Sequence, residues 1–319
     1  MEIDKLRREL ERFAQDKGLS YSKIAKAMGI GASTLSEFRA GTYKGDMETL
    51  AEKVEDFLNR HKKKMRRIDF SADTEVKKRV FWTIDIIKKY VASNVVEGLM
   101  ESAKIGYIFG RAGIGKTHAL QEYIKEYKGR GVFVTAEAGI TITGMIKKLA
   151  SELRLDTDGT TQQIKERIKD CIKFTETIII IDEGEHLKNQ VIDNIRSIAD
   201  QTGVGIVIAG TEQLKSQVYS QRKSYEYLSS RAVVNMTLKE LQIDDVAKIV
   251  KRFMKNDIEL YDEKELQQII SYLNSTVRGS ARQLANLLSL ASDIANNNIG
   301  TGKITLEYIK AAVTMLAIN

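Results

Sequence analysis

Several residue types are scarce in this 319-residue chain, and each scarcity excludes a class of structure. The chain contains no proline, which excludes polyproline linkers and proline kinks within helices. Its single cysteine excludes an internal disulfide framework and a multi-cysteine zinc site. Apolar runs such as Ile178–Ile181 are far too short to cross a bilayer. The charged segment Met1–Leu6 lacks the apolar stretch of a secretory signal, so the sequence predicts a cytoplasmic protein without a membrane partner.

Positive charge is concentrated at the N-terminal end of the chain. The net charge is +7, and residues 1–67 alone carry 16 Lys and Arg against 11 Asp and Glu. The rest of the chain therefore contributes only +2. A small basic segment on a nearly neutral body favours a polyanion contact at that end, although a solvated basic face explains the excess equally well.

Hydrophobic periodicity divides the chain into a helical head, an α/β middle and a helical tail. In the head, apolar residues recur at helical spacing, as in Leu6, Leu10 and Phe13. The middle alternates helical stretches with short β-rich runs, which predicts a parallel sheet covered by helices on both faces. These runs are residues 105–109, 132–135, 178–181, 205–209 and 233–236. We therefore expect an all-α domain at 1–59, a basic linker at 60–68, an α/β core at 69–238 and a helical lid at 239–319.

Residues 23–38 have the pattern of two short helices joined by a tight turn. Ala25 allows the helices to approach closely, and Gly29 permits a left-handed turn between them. The pattern resembles the helix-turn-helix of phage-repressor-type DNA-binding domains, although a plain three-helix packing unit also has it. Arg39 alone offers a bidentate guanine contact, and it lies late in the helix, so we expect little sequence specificity. The predicted DNA contacts are Ser33, Thr34, Ser36, Arg39 and Lys44.

The strongest motif is a glycine-rich loop at residues 110–117. It follows a strand-like run and opens a helical one, which is the strand–loop–helix context of a P-loop. Backbone N–H groups of such a loop surround phosphate oxygens at the positive end of the helix dipole. We expect Lys116 to reach the β- and γ-phosphates of ATP, and the Thr117 hydroxyl to hold Mg²⁺. The predicted nucleotide-binding residues are Gly110, Arg111, Ala112, Gly113, Ile114, Gly115, Lys116, Thr117 and His118.

Two carboxylates end the apolar run at 178–181, in the position of a Walker B motif. We expect Asp182 to support Mg²⁺ together with Thr117, and Glu183 to act as the base that polarises the attacking water. Two acids at the end of a strand could instead form a solvated cap, but their combination with a P-loop favours catalysis. The two motifs together predict an ATPase that uses ATP and Mg²⁺.

These residues resemble the AAA+ ATPase family, whose fold is a P-loop α/β core with a parallel sheet and an all-α C-terminal lid. In that family a polar residue after the strand that follows Walker B senses the γ-phosphate, and the resemblance implies Thr211 for this role. The resemblance also implies an arginine finger that reaches into a neighbouring subunit, for which Arg231 is the first choice and Arg222 the second. Arg282 in the tail corresponds to the arginine with which the lid senses nucleotide.

Over the whole chain, the combination of this head with this core resembles the AAA+ ATPases that select targets for DNA transposition. The resemblance implies an ATP-dependent helical oligomer, or filament, on double-stranded DNA that marks the target and activates a DDE-type transposase. DNA or the transposase would stimulate hydrolysis, and hydrolysis would drive disassembly. Related proteins face DNA with the region after the second strand, which here implies contacts from Thr143, Lys147 and Lys148.

Two other functions are compatible with the same motifs. A helicase loader shares the AAA+ core, but the repressor-like head argues against it. An ATP-gated transcriptional regulator would need stronger base-reading residues than residues 32–39 offer. The transposition resemblance implies a phage, prophage or mobile-element protein in the cytoplasm of a bacterial host.

Overall fold

The computed structural model describes residues 3–17, 19–65, 71–97, 103–219, 232–255, 258–297 and 303–316. The chain divides into two compact units. One contains the chain as far as Asp69 and Ser289–Ile304, and the other contains Phe70–Leu288 and Thr305–Asn319. Within the described ranges, no helix combines the length and the apolar character that a membrane span requires.

Four helices of the first unit enclose a hydrophobic core of their own. Leu10, Leu35 and Phe38 are fully buried in it, and the rings of Phe13 and Phe57 meet edge to face with their centroids 5.5 Å apart. A left-handed Gly29 ends the second helix, as the sequence predicts. The helices are α1 (Ile3–Lys17), α2 (Tyr21–Met28), α3 (Ala32–Ala40) and α4 (Met47–Met65).

Helix α4 continues into the predicted basic linker. Residues 60–65 form its last turns, and residues 66–68 lie outside the described ranges. The helix continues because Lys and Arg have high helix propensity and no proline or glycine interrupts the run. Residues 60–65 are therefore helical, while the proposed division at 1–59, 60–68, 69–238 and 239–319 stays a prediction.

The second unit contains a five-stranded parallel sheet in the order β2-β3-β4-β1-β5, which confirms the predicted fold class. Each predicted strand is present within one residue of its expected bounds. The three central strands are almost wholly buried, as continuous apolar runs in a parallel sheet should be. The strands are β1 (Lys104–Phe109), β2 (Gly131–Thr135), β3 (Ile178–Asp182), β4 (Gly205–Gly210) and β5 (Ala232–Thr237).

Helices alternate with the strands, and every described element after β5 is helical. Two 3₁₀ turns, Gly184–His186 and Ile258–Leu260, interrupt this pattern. The helices are α5 (Glu75–Glu97), α6 (Lys116–Glu126), α7 (Ile142–Glu152), α8 (Thr161–Ile172), α9 (Asn189–Thr202), α10 (Glu212–Val218), α11 (Ile243–Phe253), α12 (Glu263–Val277), α13 (Ala281–Asn297) and α14 (Leu306–Met315).

The strand order brings three distant loops to one edge of the sheet. Strands β3, β4 and β1 are neighbours and parallel, so their carboxyl ends lie side by side. The P-loop follows β1, Asp182 ends β3 with Glu183 directly after it, and Thr211 follows β4. Ligands of open α/β sheets bind at this edge, so the fold places the predicted site where the architecture favours one.

Candidate nucleotide-binding site

The P-loop connects β1 to α6 in a backbone conformation that suits a phosphate cradle. Gly113 and Gly115 have φ angles of +83° and +103°, which residues with a side chain rarely adopt. A side chain on Gly110 would be crowded, because its Cβ would lie 2.7 Å from Ile114 Cδ1 and 3.1 Å from the Cβ of Leu238. Helix α6 begins at Lys116, so the amide groups of the loop lie at the positive end of the helix dipole.

The ammonium group of Lys116 is buried against carbonyl groups of the loop itself. The residue is only 8% exposed, and its Nζ donates to Gly110 O at 2.6 Å and to Arg111 O at 3.0 Å. Burial lowers the pKa of Lys116, and the negative charges of Asp182 and Glu185 partly oppose that shift. A cation in this environment interacts with phosphate more strongly than a cation in water would.

Thr117 and Asp182 lie in direct contact, as a shared Mg²⁺ site requires. The Thr117 hydroxyl donates to Asp182 Oδ2 at 2.6 Å, and Asp182 is almost fully buried. The other carboxylate oxygen, Oδ1, accepts from the backbone N–H of Glu183 at 2.9 Å. Mg²⁺ prefers oxygen ligands and binds one or two carboxylates together with substrate phosphates, so this pair of side chains fits the ion. Their assignment as ligands stays a prediction.

Glu183 differs from Asp182 in both exposure and backbone conformation. Its side chain is 55% exposed, and its Oε2 lies 3.7 Å from His186 Nε2. Its φ of +55° lies in the left-handed region, which is uncommon for a residue with a side chain and recurs at functional sites. An exposed carboxylate that lines the cavity beside a buried one suits a base that activates water.

Thr211 caps helix α10 directly after strand β4. Its hydroxyl oxygen accepts from the backbone N–H of Gln213 at 3.3 Å, and its own backbone N–H donates to Glu185 Oε2 at 3.2 Å. Thr211 and Glu185 line the same cavity as Lys116. Thr211, for which the resemblance implies the role of γ-phosphate sensor, thus lies beside the P-loop.

Of the arginines that the resemblance implies, only Arg282 lies within the described residues. Its backbone N–H donates to Gly113 O at 2.9 Å, so α13 begins directly against the P-loop. The Arg282 side chain is exposed and lines the cavity, and its charge, in addition to burial, lowers the pKa of Lys116. Arg231 and Arg222 lie outside the described residues, and the arginine finger stays a prediction.

A cavity of about 440 Å³ joins these groups. Its wall includes an ion pair that the motifs do not identify, between Lys77 Nζ and Glu122 Oε1 at 2.6 Å. Burial alone would raise the pKa of Glu122, but hydrogen bonds from Lys77 and Ser71 outweigh burial and lower it. Apolar side chains that suit a nucleotide base also line the cavity. No local motif marks them, because they come from separate parts of the chain: Leu241 in the connection after β5, Ile249 in α11 and Ala285 in α13.

Comparison with known proteins agrees with this geometry. The AAA domain family matches residues 99–218, which contain the P-loop, the Walker B acids and Thr211. The chain contains an AAA domain. It is also 23% identical over 324 residues to the ATP-dependent target DNA activator B of Escherichia phage Mu, covering 100% of this chain and 97% of that protein. Identity to the Mu-like prophage FluMu DNA transposition protein B of Haemophilus influenzae is 22% over 250 residues, covering 76% of this chain and 83% of that protein.

A solved structure is similar to this chain in fold. The ORC2 protein of Aeropyrum pernix, solved as ADPNP–ADP complexes, superimposes with a TM-score of 0.57 at 13% identity. The match covers 72% of this chain and 66% of that chain, just under two thirds of its length. The likeness concerns the fold alone and confirms the predicted AAA+ core. The AAA domain family match over residues 99–218 supports ATP hydrolysis in general terms.

Gly279 lies between α12 and α13, and we expect Gly279→Ala to destabilise the protein. Gly279 has φ +76°, and an added Cβ would overlap the Cβ of Glu240. The left-handed conformation costs a side-chain-bearing residue about 1–2 kcal/mol, and the overlap adds about 1–3 kcal/mol. Because the neighbouring Arg282 backbone bonds to Gly113, ATP affinity should fall as well.

Gly139→Ala is the matched control for this prediction. Gly139 also has a left-handed φ, +78°, but nothing lies within 4 Å of its added Cβ. Gly139→Ala should therefore lower the free energy of unfolding only by the cost of the left-handed conformation, about 1–2 kcal/mol. Its ATP affinity should not change. Chemical denaturation and calorimetric titration measure the two quantities. Equal losses of unfolding free energy in the two variants would contradict the role given to the Glu240 contact.

In the head, α3 is the predicted recognition helix. Its residues Leu35 and Phe38 are fully buried, so the opposite face, with Ser33 and Ser36, points to solvent. Thr34 is half-buried, and Lys44 is exposed beyond the helix. These residues are placed as surface contacts to DNA would require, and their DNA contacts stay predictions.

Arg39 differs from the other predicted DNA contacts because it has partners within the head. Its guanidinium carbon lies 3.4 Å from the centroid of the Tyr21 ring, and its Nη2 lies 3.6 Å from Glu11 Oε1. The side chain is 29% exposed. Stacking on an aromatic ring stabilises a guanidinium in place, so Tyr21 and Glu11 hold the Arg39 side chain within the head.

The region after β2 presents one exposed cation of the two that were predicted to contact DNA. Lys148 Nζ forms an ion pair with Glu137 and donates to Thr135 O at 3.2 Å. The Thr143 hydroxyl shares a hydrogen bond of 2.8 Å with Thr161. Lys147 is exposed on α7 and is the better placed of the two lysines for a phosphate contact.

Proposed function

We propose that this chain is an ATP-dependent DNA-binding protein that assembles as a helical oligomer on target DNA, selects the target site and activates a transposase. The observation that carries the proposal is the similarity over the whole chain to a protein named ATP-dependent target DNA activator B. The relative named a DNA transposition protein points to the same process. The AAA domain and its cavity supply the ATP-dependent part of this function.

The cavity suggests how the chain would bind and hydrolyse ATP. The P-loop amides and Lys116 would bind the β- and γ-phosphates, while Thr117 and Asp182 would hold Mg²⁺. When bound, the ion neutralises phosphate charge and orients the γ-phosphate. Glu183 would accept the proton of the attacking water. Contacts to the γ-phosphate would come from Thr211 and Arg282 of the same chain and from Arg231, or Arg222, of a neighbouring copy.

Assembly on DNA would depend on the same nucleotide. ATP would complete the contact between neighbouring copies, and hydrolysis, stimulated by DNA or by a DDE-type transposase, would open it and drive disassembly. Phosphate contacts from Lys147 and Lys44 carry no base information, so we expect binding to double-stranded DNA with little sequence specificity. The relatives belong to a phage and a prophage, which supports a mobile-element protein in the cytoplasm of a bacterial host.

Electron microscopy of the full-length protein on two unrelated duplexes tests this function. We expect continuous filaments on both duplexes with Mg-ATP and none with Mg-ADP, because only ATP supplies the γ-phosphate that neighbouring copies would share. Closed rings in the absence of DNA would instead favour the helicase-loader function. Binding confined to one of the two sequences would favour the transcriptional regulator.

A further inference from the structure

We propose that Glu185 is a positioning residue for Thr211, and that it determines how strongly the site distinguishes ATP from ADP. The proposal rests on the proposed function, in which Thr211 contacts the γ-phosphate. Glu185 lies in the 3₁₀ turn Gly184–His186, after the two Walker B acids. Neither the P-loop nor the Walker B pattern assigns it a role.

The Glu185 carboxylate holds the backbone from which Thr211 projects. Its Oε2 accepts from the Thr211 N–H at 3.2 Å. The same oxygen occupies the space that a side chain on Gly210 would need, so the carboxylate lies directly against the end of β4. Both Glu185 and Thr211 line the cavity that contains the P-loop. Glu185 therefore connects the Walker B turn to the end of the neighbouring strand.

The Thr211 hydroxyl accepts one hydrogen bond and keeps a proton that it can donate. Its oxygen already accepts from the Gln213 N–H at 3.3 Å. A hydroxyl has one proton to donate, and this cap leaves that proton for an acceptor in the cavity, such as a γ-phosphate oxygen. The position of the Thr211 hydroxyl depends on the backbone at Thr211. Glu185 holds this backbone through the Thr211 N–H, and the N–H of Gln213 holds the hydroxyl oxygen.

Glu185 is itself held in place by its surroundings. Its carbonyl oxygen accepts from Gln217 Nε2 at 3.2 Å, and the turn is closed by a bond from Leu187 N–H to Gly184 O at 3.0 Å. Its negative charge also acts on the phosphate-binding cation, since it opposes the effect of burial on the pKa of Lys116. Glu185 thus joins Thr211 to the turn that directly follows Glu183.

Nucleotide binding by full-length variants tests this role. The readout is the ratio of affinities for a non-hydrolysable ATP analogue and for ADP, both with Mg²⁺, measured by calorimetric titration. Thr211→Ala should lower this ratio about tenfold, the loss expected for one hydrogen bond to a charged group. Glu185→Ala should lower the ratio by a similar factor. Glu185→Gln should retain it, because the amide oxygen still accepts from the Thr211 N–H.

Two further variants separate positioning from a general loss of structure. The double variant Glu185→Ala/Thr211→Ala should be no worse than Thr211→Ala alone, because both changes act through one hydroxyl. Gln217→Ala removes the bond to the Glu185 carbonyl but leaves the carboxylate, so it should lower thermal stability without changing the ratio.

Three outcomes would overturn the inference. If Thr211→Ala lowers the ratio and Glu185→Ala does not, Glu185 does not position Thr211. If Glu185→Gln lowers the affinity ratio as much as Glu185→Ala does, the ratio depends on the negative charge of Glu185 and not on its hydrogen bond to Thr211. An unchanged ratio in Thr211→Ala would remove Thr211 from γ-phosphate sensing, which identifies the proposed function as the point of failure.

Discussion

Lys116→Ala is expected to abolish ATP binding and, with it, stable assembly on DNA. The variant removes the buried ammonium group beside the P-loop. Truncation of one partner in a buried charged contact costs about 2–5 kcal/mol, so ATP affinity should fall about 30-fold or more. Calorimetric titration with Mg-ATP measures the affinity, and electron microscopy with DNA measures the assembly.

The change at Lys116 also has an effect on folding that must be measured separately. The carbonyls of Gly110 and Arg111 lose their donor, which should cost about 1–3 kcal/mol of unfolding free energy. Lys125→Ala is the matched control, because Lys125 is exposed on the same helix and carries the same charge. It should bind ATP and assemble normally. If folded Lys116→Ala coats DNA as well as the unaltered protein does, nucleotide does not gate assembly.

Glu183→Gln is expected to bind ATP normally and to hydrolyse it about 10²- to 10⁴-fold more slowly, the usual contribution of a general base. The amide is nearly isosteric with the carboxylate but cannot accept the proton of water. Asp182 and Thr117 keep their mutual hydrogen bond, so Mg²⁺ and nucleotide binding should persist. Since hydrolysis is proposed to drive disassembly, the variant should accumulate long-lived filaments on DNA.

Phosphate release and the lifetime of filaments measure the two consequences of Glu183→Gln. Glu126→Gln serves as the control, because Glu126 is an exposed carboxylate at the end of α6 and does not line the cavity. Its turnover should equal that of the unaltered protein. Normal turnover in Glu183→Gln would remove Glu183 from the role of base, and slow turnover with rapid disassembly would separate hydrolysis from filament release.

The sequence by itself determined the strands and the chemistry of the P-loop, because both depend on short stretches of chain. A buried parallel strand is a continuous apolar run, as at Ile178–Ile181, and the observed β3 matches it. Gly113 and Gly115 precede the lysine that opens α6, so spacing alone identifies the loop. At residues 60–65 the charge run that was predicted as part of a linker is helical and continues α4, and the division into domains stays a prediction.

Only the tertiary structure revealed the partners in the site that no motif marks, because contacts between distant elements leave no periodic signal in the chain. The order β3-β4-β1 brings Asp182 and Thr211 to the P-loop. Both residues lie far along the chain from the P-loop, which ends at Thr117. Packing also pairs Lys77 with Glu122 and joins Glu185 to Thr211. In the head, the same principle stacks Arg39 on Tyr21 rather than leaving it on the outward face of α3. Sequence spacing predicts which residues share a face of one helix or one strand. Contacts between side chains of different elements depend on how those elements pack together.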